Sequence, residues 1–327
     1  MGKTLITTVP FGDKNRLPFD LLEKAGIEYT LNPYHKKLTE DELAGLIGDY
    51  DTLIAGTEII SDKVMARAPK LKLISRVGIG LDGVDLVAAK KRGIQVSYTP
   101  DAPAPAVAEL TLGLMLTLAR SLHTSNKQLH EKKWQRIFGR RLEEMTIGLI
   151  GMGRIGTRVL THLQGFGVKK VLLNDLTPNT ALTKGLNVEW VSKEKIYQDS
   201  DIISLHLPLN SNTRNLITEE HLRMMKSDAI VINTARGGII NEADLYKVLK
   251  DGHLGAAGID VFEQEPYSGP LSEIERCFLT AHMGSMSVDC RTKMEIEATE
   301  EVVRFHNRKK LEALVPEIEY ELQGQRT

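Results

Sequence analysis

Cysteine is scarce: Cys277 and Cys290 are the only two in 327 residues. Two thiols cannot make a disulfide framework, and their spacing is not that of a metal site, so no metal is expected. A reducing, cytoplasmic setting follows as the expectation. Excess charge of either sign is missing too. Lys plus Arg number 42 against 43 Asp plus Glu, for a net charge of −1. That balance gives no electrostatic case for nucleic acid or an anionic membrane as partner. Long apolar runs are absent; the longest, Val107–Ala119, is interrupted by Glu109 and too short to cross a bilayer. Leu5–Val9 is too short for a signal-peptide core. Ile6 stands where a myristoylation motif starting at Gly2 needs Ser or Thr.

What remains is an ordinary globular composition, 42% hydrophobic and 26% charged, which excludes disorder as a description of the whole chain. The length predicts about two domains, because single cores stop growing at roughly 250–300 residues. In the first hundred residues, short apolar runs alternate with amphipathic stretches. Strands are expected at Thr4–Val9, Glu28–Leu31, Thr52–Ala55, Leu71–Val77 and Ile94–Tyr98, with helices at Phe19–Ala25, Glu40–Ile47, Ser61–Arg67 and Val84–Lys91. This alternation reads as a parallel, helix-covered sheet.

Three prolines in Thr99–Pro105 predict a rigid connector that is neither helix nor strand. A helix over 106–122 should follow; it is apolar nearly all round and so should be buried between domains or subunits. The polar, basic stretch His123–Arg141 reads as a surface excursion. A second alternating series then places strands at Thr146–Ile150, Val171–Asn174, Asp201–Leu205, Ala229–Asn233, Ala256–Asp260 and Phe278–Ala281, and a long helix after Ser285.

Gly151-Met152-Gly153-Arg154-Ile155-Gly156 is a G-x-G-x-x-G turn between a strand and a helix. The first glycine permits the tight turn, the second lets a pyrophosphate approach the backbone, and the third allows close helix packing. The helix start then offers free N–H groups and its positive dipole end. Asp175 ends the next strand, where a carboxylate accepts from ribose hydroxyls and repels a 2′-phosphate. NAD is therefore expected over NADP. A second match, Gly78-Ile79-Gly80-Leu81-Asp82-Gly83, ranks lower, because the acid that follows it, Asp101, lies in the proline-rich connector. It reads as a turn, or as a loop of free N–H groups for a substrate carboxylate. Arg236, Glu265 and His282 each stand just past a predicted strand, where open α/β sheets bind ligands.

These segments resemble the D-isomer-specific 2-hydroxyacid dehydrogenases. The likeness runs nearly end to end, through Val77–Asp85, Val107–Glu109, Gly148–Gly156, Leu205–Leu209, Asn233–Gly238, Asp260–Pro266 and His282–Ser285. It implies an α/β fold of two doubly wound parallel-sheet domains. One is a Rossmann NAD-binding domain, residues 100–285. The other is a discontinuous flavodoxin-like substrate domain, residues 1–99 plus 286–327. The cleft should lie between them, with a homodimer built through the NAD domain and no further regulatory domain after Thr327.

The resemblance also implies a mechanism: hydride transfer between NAD(H) and a small 2-oxo or 2-hydroxy acid. Arg236 would hold the substrate carboxylate and carbonyl through its planar fork. His282 would be the acid/base and Glu265 its partner. The N–H groups of Val77, Gly78 and Ile79 would clamp the carboxylate. Asp260 would bond the nicotinamide carboxamide, with Thr234 and Ala235 helping; Arg154 and Ile155 would lie over the pyrophosphate. Pro208, His282, Gly284 and Ser285 complete the implied cofactor set.

Four features depart from the family pattern: Gly83 where Asn is usual, Pro103-Ala104-Pro105-Ala106 in place of a polar turn, Met283 after the histidine, and a short stretch between Glu265 and His282. The first two bear on substrate shape. Two other activities share these motifs: an enzyme of the same fold acting on another small anion such as phosphite, and a dinucleotide-sensing corepressor.

Overall fold

The computed structural model describes residues 2–181 and 183–324. Met1 and residues 325–327, which the expected substrate domain includes, lie outside the described residues. The chain divides into two compact units, Met1–Pro103 with Ser285–Thr327, and Ala104–Gly284.

In the first unit the order is β1 (Lys3–Ile6), α1 (Leu17–Lys24), β2 (Glu28–Leu31), α2 (Glu40–Leu46), β3 (Thr52–Ala55), α3 (Asp62–Ala66), β4 (Leu73–Arg76), α4 (Leu86–Lys91) and β5 (Gln95–Ser97). The five strands lie parallel in the order β2-β1-β3-β4-β5, the flavodoxin-like winding. Local chemistry sets the helix starts. Thr39 and Glu42 form a reciprocal capping box on α2, and the Asp85 carboxylate accepts from Ala88 N at the start of α4. Leu5, Leu53, Ile74 and Val96 are enclosed in the core beneath the sheet.

The second unit begins with α5 (Pro103–Ala119) and α6 (Leu122–His130). It continues through β6 (Thr146–Ile150), α7 (Arg154–Gln164), β7 (Lys170–Asn174), β8 (Val188–Trp190), α8 (Lys193–Asp199), β9 (Ile202–Leu205), α9 (Glu219–Met224), β10 (Ile230–Asn233), α10 (Glu242–Lys250), β11 (Ala256–Ile259) and β12 (Cys277–Leu279). Its seven parallel strands run β12-β11-β10-β9-β6-β7-β8. Successive residues feed opposite faces, as the pleat requires: Ile147 and Leu149 enter one core, Ile150 and Leu205 the other. The chain then returns to the first unit as α11 (Val288–His306) and α12 (Glu317–Gly324).

Two expectations need correction. Pro103 and Pro105 do not form a connector; they occupy the first turn of α5, where a missing N–H costs nothing. The predicted helix over 106–122 instead ends at Ala119, and Ser121 follows in the left-handed region with φ +49°. The stretch His123–Arg141 lies at the surface as expected, and its first part belongs to α6, a helix with no fully buried residue. α5 packs within its own unit, since Leu114 and Leu118 lie against Gly258 of β11, while Leu110, Leu112 and Leu116 stay half-buried. Among the described residues no single helix is long and apolar enough to cross a membrane; α5 and α6 satisfy length and composition only together, and are bent by 64°.

Candidate active site

The order of strands places the site. Arg236 follows β10, Glu265 follows β11 and His282 follows β12, three adjacent parallel strands whose carboxyl ends share one edge. The glycine turn follows β6 on the same edge, at the point where the winding reverses.

His282 and Glu265 are bonded. Nδ1 lies 3.0 and 2.9 Å from the two carboxylate oxygens. Nε2 has no hydrogen-bond partner among the described residues, so the ring presents one committed nitrogen and one open one. Backbone geometry enforces this aim. His282 sits at φ +51°, a left-handed conformation that histidine tolerates better than most residues. Its N–H donates to the carbonyls of Asp260 (2.9 Å) and Thr280 (3.1 Å). Asp260 is fully enclosed, and its carboxylate accepts from Thr280 Oγ1 (2.6 Å), Met283 N (2.7 Å) and Gly284 N (2.9 Å). Both its oxygens thus brace the turn that carries His282, a task the sequence did not disclose; the carboxamide bond would be a fourth. Gly284 is close-packed, since a Cβ there would come 3.2 Å from Asp260 Oδ2.

Arg236 is half-buried and is fixed from its own backbone. Asn233 Nδ2 donates to Arg236 O (2.9 Å), Asn233 Oδ1 accepts from Ala235 N (3.0 Å), and Arg236 Nη1 donates to Ala235 O (2.6 Å). Thr234 is buried, its hydroxyl 2.8 Å from that of Thr111 on α5. Asn233 and Thr111 were not among the expected residues. The asparagine before the arginine was a visible signal; the threonine pairing spans 123 positions and was not.

The dinucleotide turn shows the stereochemistry that a pyrophosphate needs. Gly151 adopts φ +96° and touches His206 O. A Cβ on Gly156 would meet Gly151 O at 2.0 Å, so nothing larger fits between helix and strand. At Gly153 a Cβ would meet nothing within 4 Å, which leaves open space over the turn. Arg154 and Ile155 open α7 there, and Pro208 is exposed just after β9. Burial pushes the His206 imidazole down to about 4, so it stands neutral beside the turn and adds no charge to it. Asp175 accepts from Met152 N (2.6 Å) and Thr177 N (3.1 Å), so the acid at the end of β7 also ties down the glycine loop.

In the first unit the Val77–Ile79 loop departs from expectation. Val77 N donates to Ala55 O (2.9 Å) and Gly78 N to Thr99 Oγ1 (2.8 Å), so neither is free to clamp a carboxylate. The N–H groups of Ile79 and Gly80 have no partner among the described residues. Gly78 holds φ +135°, and the Arg76 guanidinium lies against it. The N–H groups left open in this loop are thus those of Ile79 and Gly80 rather than those of Val77 and Gly78.

Known proteins share this sequence pattern and fold. Residues 112–284 match the family model described as D-isomer specific 2-hydroxyacid dehydrogenase, NAD binding domain. The chain is 38% identical over 301 residues to the hydroxypyruvate reductase of Thermotoga maritima, covering 87% of this chain and 96% of that one. It is 36% identical over 268 residues to the glyoxylate reductase of Korarchaeum cryptofilum, covering 79% and 80%. Among solved structures, the TT0316 protein from Thermus thermophilus superposes with a TM-score of 0.87 at 32% identity, covering 96% of this chain and all of that one. The chain belongs to the D-isomer specific 2-hydroxyacid dehydrogenases, NAD-dependent oxidoreductases.

Proposed function

We propose that the protein reduces a small 2-oxo acid, of the glyoxylate or hydroxypyruvate kind, to the D-2-hydroxy acid. The observation that carries this reading is the His282–Glu265 pair, with Nε2 open, beside the arginine of the neighbouring strand. NADH, when bound, supplies the hydride. Arg236 binds the substrate carboxylate and its carbonyl oxygen, and its fixed backbone sets the angle of the fork. The Ile79 and Gly80 N–H groups add two donors to the carboxylate, while Val77 and Gly78 hold their loop in place. Protonated His282 gives its Nε2 proton to the carbonyl oxygen as negative charge develops there. Glu265 stabilises the imidazolium before transfer and keeps the ring oriented. Asp260 steadies the turn and, with the cofactor bound, would accept from its carboxamide, helped by Thr234, Ala235, Gly284 and Ser285; Arg154 and Ile155 would hold the pyrophosphate. The test is NADH oxidation against glyoxylate, hydroxypyruvate, pyruvate and phosphohydroxypyruvate. Turnover should be fastest with the first two. Absence of turnover with every 2-oxo acid would remove the proposal.

Asp175 carries the cofactor preference. With Asp175→Ala, the ratio of kcat/KM for NADH over NADPH should fall at least about tenfold, the loss of one charge-assisted bond. A mutant that keeps the full preference would assign the ribose contact elsewhere. The second unit also supports a homodimer. Trp134 and Phe138 are 81% and 103% exposed in a segment without helix or strand that follows α6, on which Leu122 and Leu129 are also exposed. Large apolar side chains left this exposed favour cover by a second copy of the chain. Sedimentation should give a dimer, and Trp134→Glu with Phe138→Glu should give a monomer; a monomeric wild type would end this reading.

A further inference from the structure

Glu242 is the first residue of α10, a helix whose start is fixed by Asn241, which accepts from Asp244 N at 3.0 Å. Its carboxylate reaches out of the helix and accepts from Glu263 N at 2.6 Å. That peptide belongs to the short turn after β11 that carries Glu265. Phe262 N donates to Glu265 Oε1 at 3.2 Å, and the Phe262 ring stacks on Tyr267 at 4.1 Å. The other side of the same peptide is pressed against the arginine loop: a Cβ on Gly237 would fall 2.0 Å from Phe262 C and 2.5 Å from Glu263 N. One peptide unit is therefore gripped by Glu242 and by the loop of Arg236, and two residues later the chain presents Glu265 to His282.

We infer that Glu242 is a positioning residue for the acid/base pair: its bond to the Glu263 N–H sets the height of the turn, and so the seat of Glu265 against His282 Nδ1. The inference rests on the proposed role of His282. Retaining a carboxylate here runs against its surroundings. Burial pushes the Glu242 carboxyl above its ordinary range; the charges of Glu263 and Glu265 add to this, and the bond from Glu263 N opposes it. Tyr267 and Cys277 also face it, and Arg214 lies across Gly238 from Glu263. A surface-facing glutamate would avoid that cost. A group paid back only by one backbone N–H beside the reacting pair is better explained by geometry than by solubility.

The test compares Glu242→Ala, which removes the acceptor, with Glu242→Gln, whose amide oxygen can still take the Glu263 N–H. The alanine variant should lose ten- to a hundredfold in kcat, the range for a small misplacement of a reacting group. Its KM for NADH and its Tm should hold, because neither the glycine turn nor the core is touched. The glutamine variant should recover kcat to within about threefold of wild type. A kcat for Glu242→Ala within threefold of wild type overturns the inference, and so does a glutamine variant as slow as the alanine one. His282→Ala is measured alongside. If it abolishes turnover while Glu242→Ala does not, only this inference falls; if it leaves turnover intact, the assignment of His282 falls first.

Discussion

His282→Ala is expected to lower kcat for 2-oxo acid reduction by about 10²–10⁴-fold, the usual contribution of a positioned general acid. The expectation follows from the ring's two nitrogens. Nδ1 is held by Glu265 at 2.9–3.0 Å, and Nε2 is the only proton donor on this side chain left to meet a carbonyl oxygen. Removing the ring leaves hydride transfer to build an alkoxide without a proton source, so the loss appears in kcat. NADH binding should change little, because the glycine turn lies past β6, on the far side of β9 from the catalytic strands. Stopped-flow measurement of single-turnover reduction and fluorescence titration of NADH separate the two effects. A variant that turns over near the wild-type rate would take His282 out of the chemistry. One that loses NADH affinity in proportion would make it a binding residue instead.

Gly237→Ala should be nearly as damaging, for a reason unrelated to backbone freedom. The added methyl would sit 2.0 Å from Phe262 C and 2.1 Å from Phe262 O. These are main-chain atoms of the turn after β11, so no rotamer change can relieve the overlap. The arginine loop and the glutamate turn must separate, and both reacting groups move together. Overpacking of this kind costs about 1–3 kcal/mol or more of stability. Displacement of even 1 Å at the reacting groups is worth roughly a hundredfold in rate. The variant should therefore show a lower Tm and a loss of kcat beyond about a hundredfold. A folded variant with wild-type kcat would show that the two loops are not in register through this contact.

Much of the fold was legible because it is written locally. Short apolar runs alternating with amphipathic stretches marked eleven of the strands within a residue or three, and the parallel winding followed from the helices between them. β8 escaped because Val188–Trp190 is a three-residue edge strand with no fully buried side chain, so it has no apolar run to announce it. α6 escaped because its sequence is polar and contributes nothing to the core. The start of α5 was misread because three prolines were taken as a signal against helix, although two of them lie where a helix can accept them. At the site, Arg236, Glu265 and His282 stood out by their place at strand ends. The residues that support them did not. Thr99 occupies the Gly78 N–H from 21 residues away, and Glu242 meets Glu263 across the same distance. Such contacts exist only after the sheet has assembled, so no local pattern could report them.

The unit that spans Ala104–Gly284 is one uninterrupted stretch, and it holds the dinucleotide turn together with Arg236, Glu265 and His282. The other unit is spliced from both chain ends and carries the loop with the open Ile79 and Gly80 amides. Under the proposed mechanism the proton-transfer pair, the carboxylate-binding arginine and the dinucleotide turn are thus encoded in one cassette, with its seams at 103/104 and 284/285. Two cuts, one at each seam, would lift all of these residues out on a single fragment.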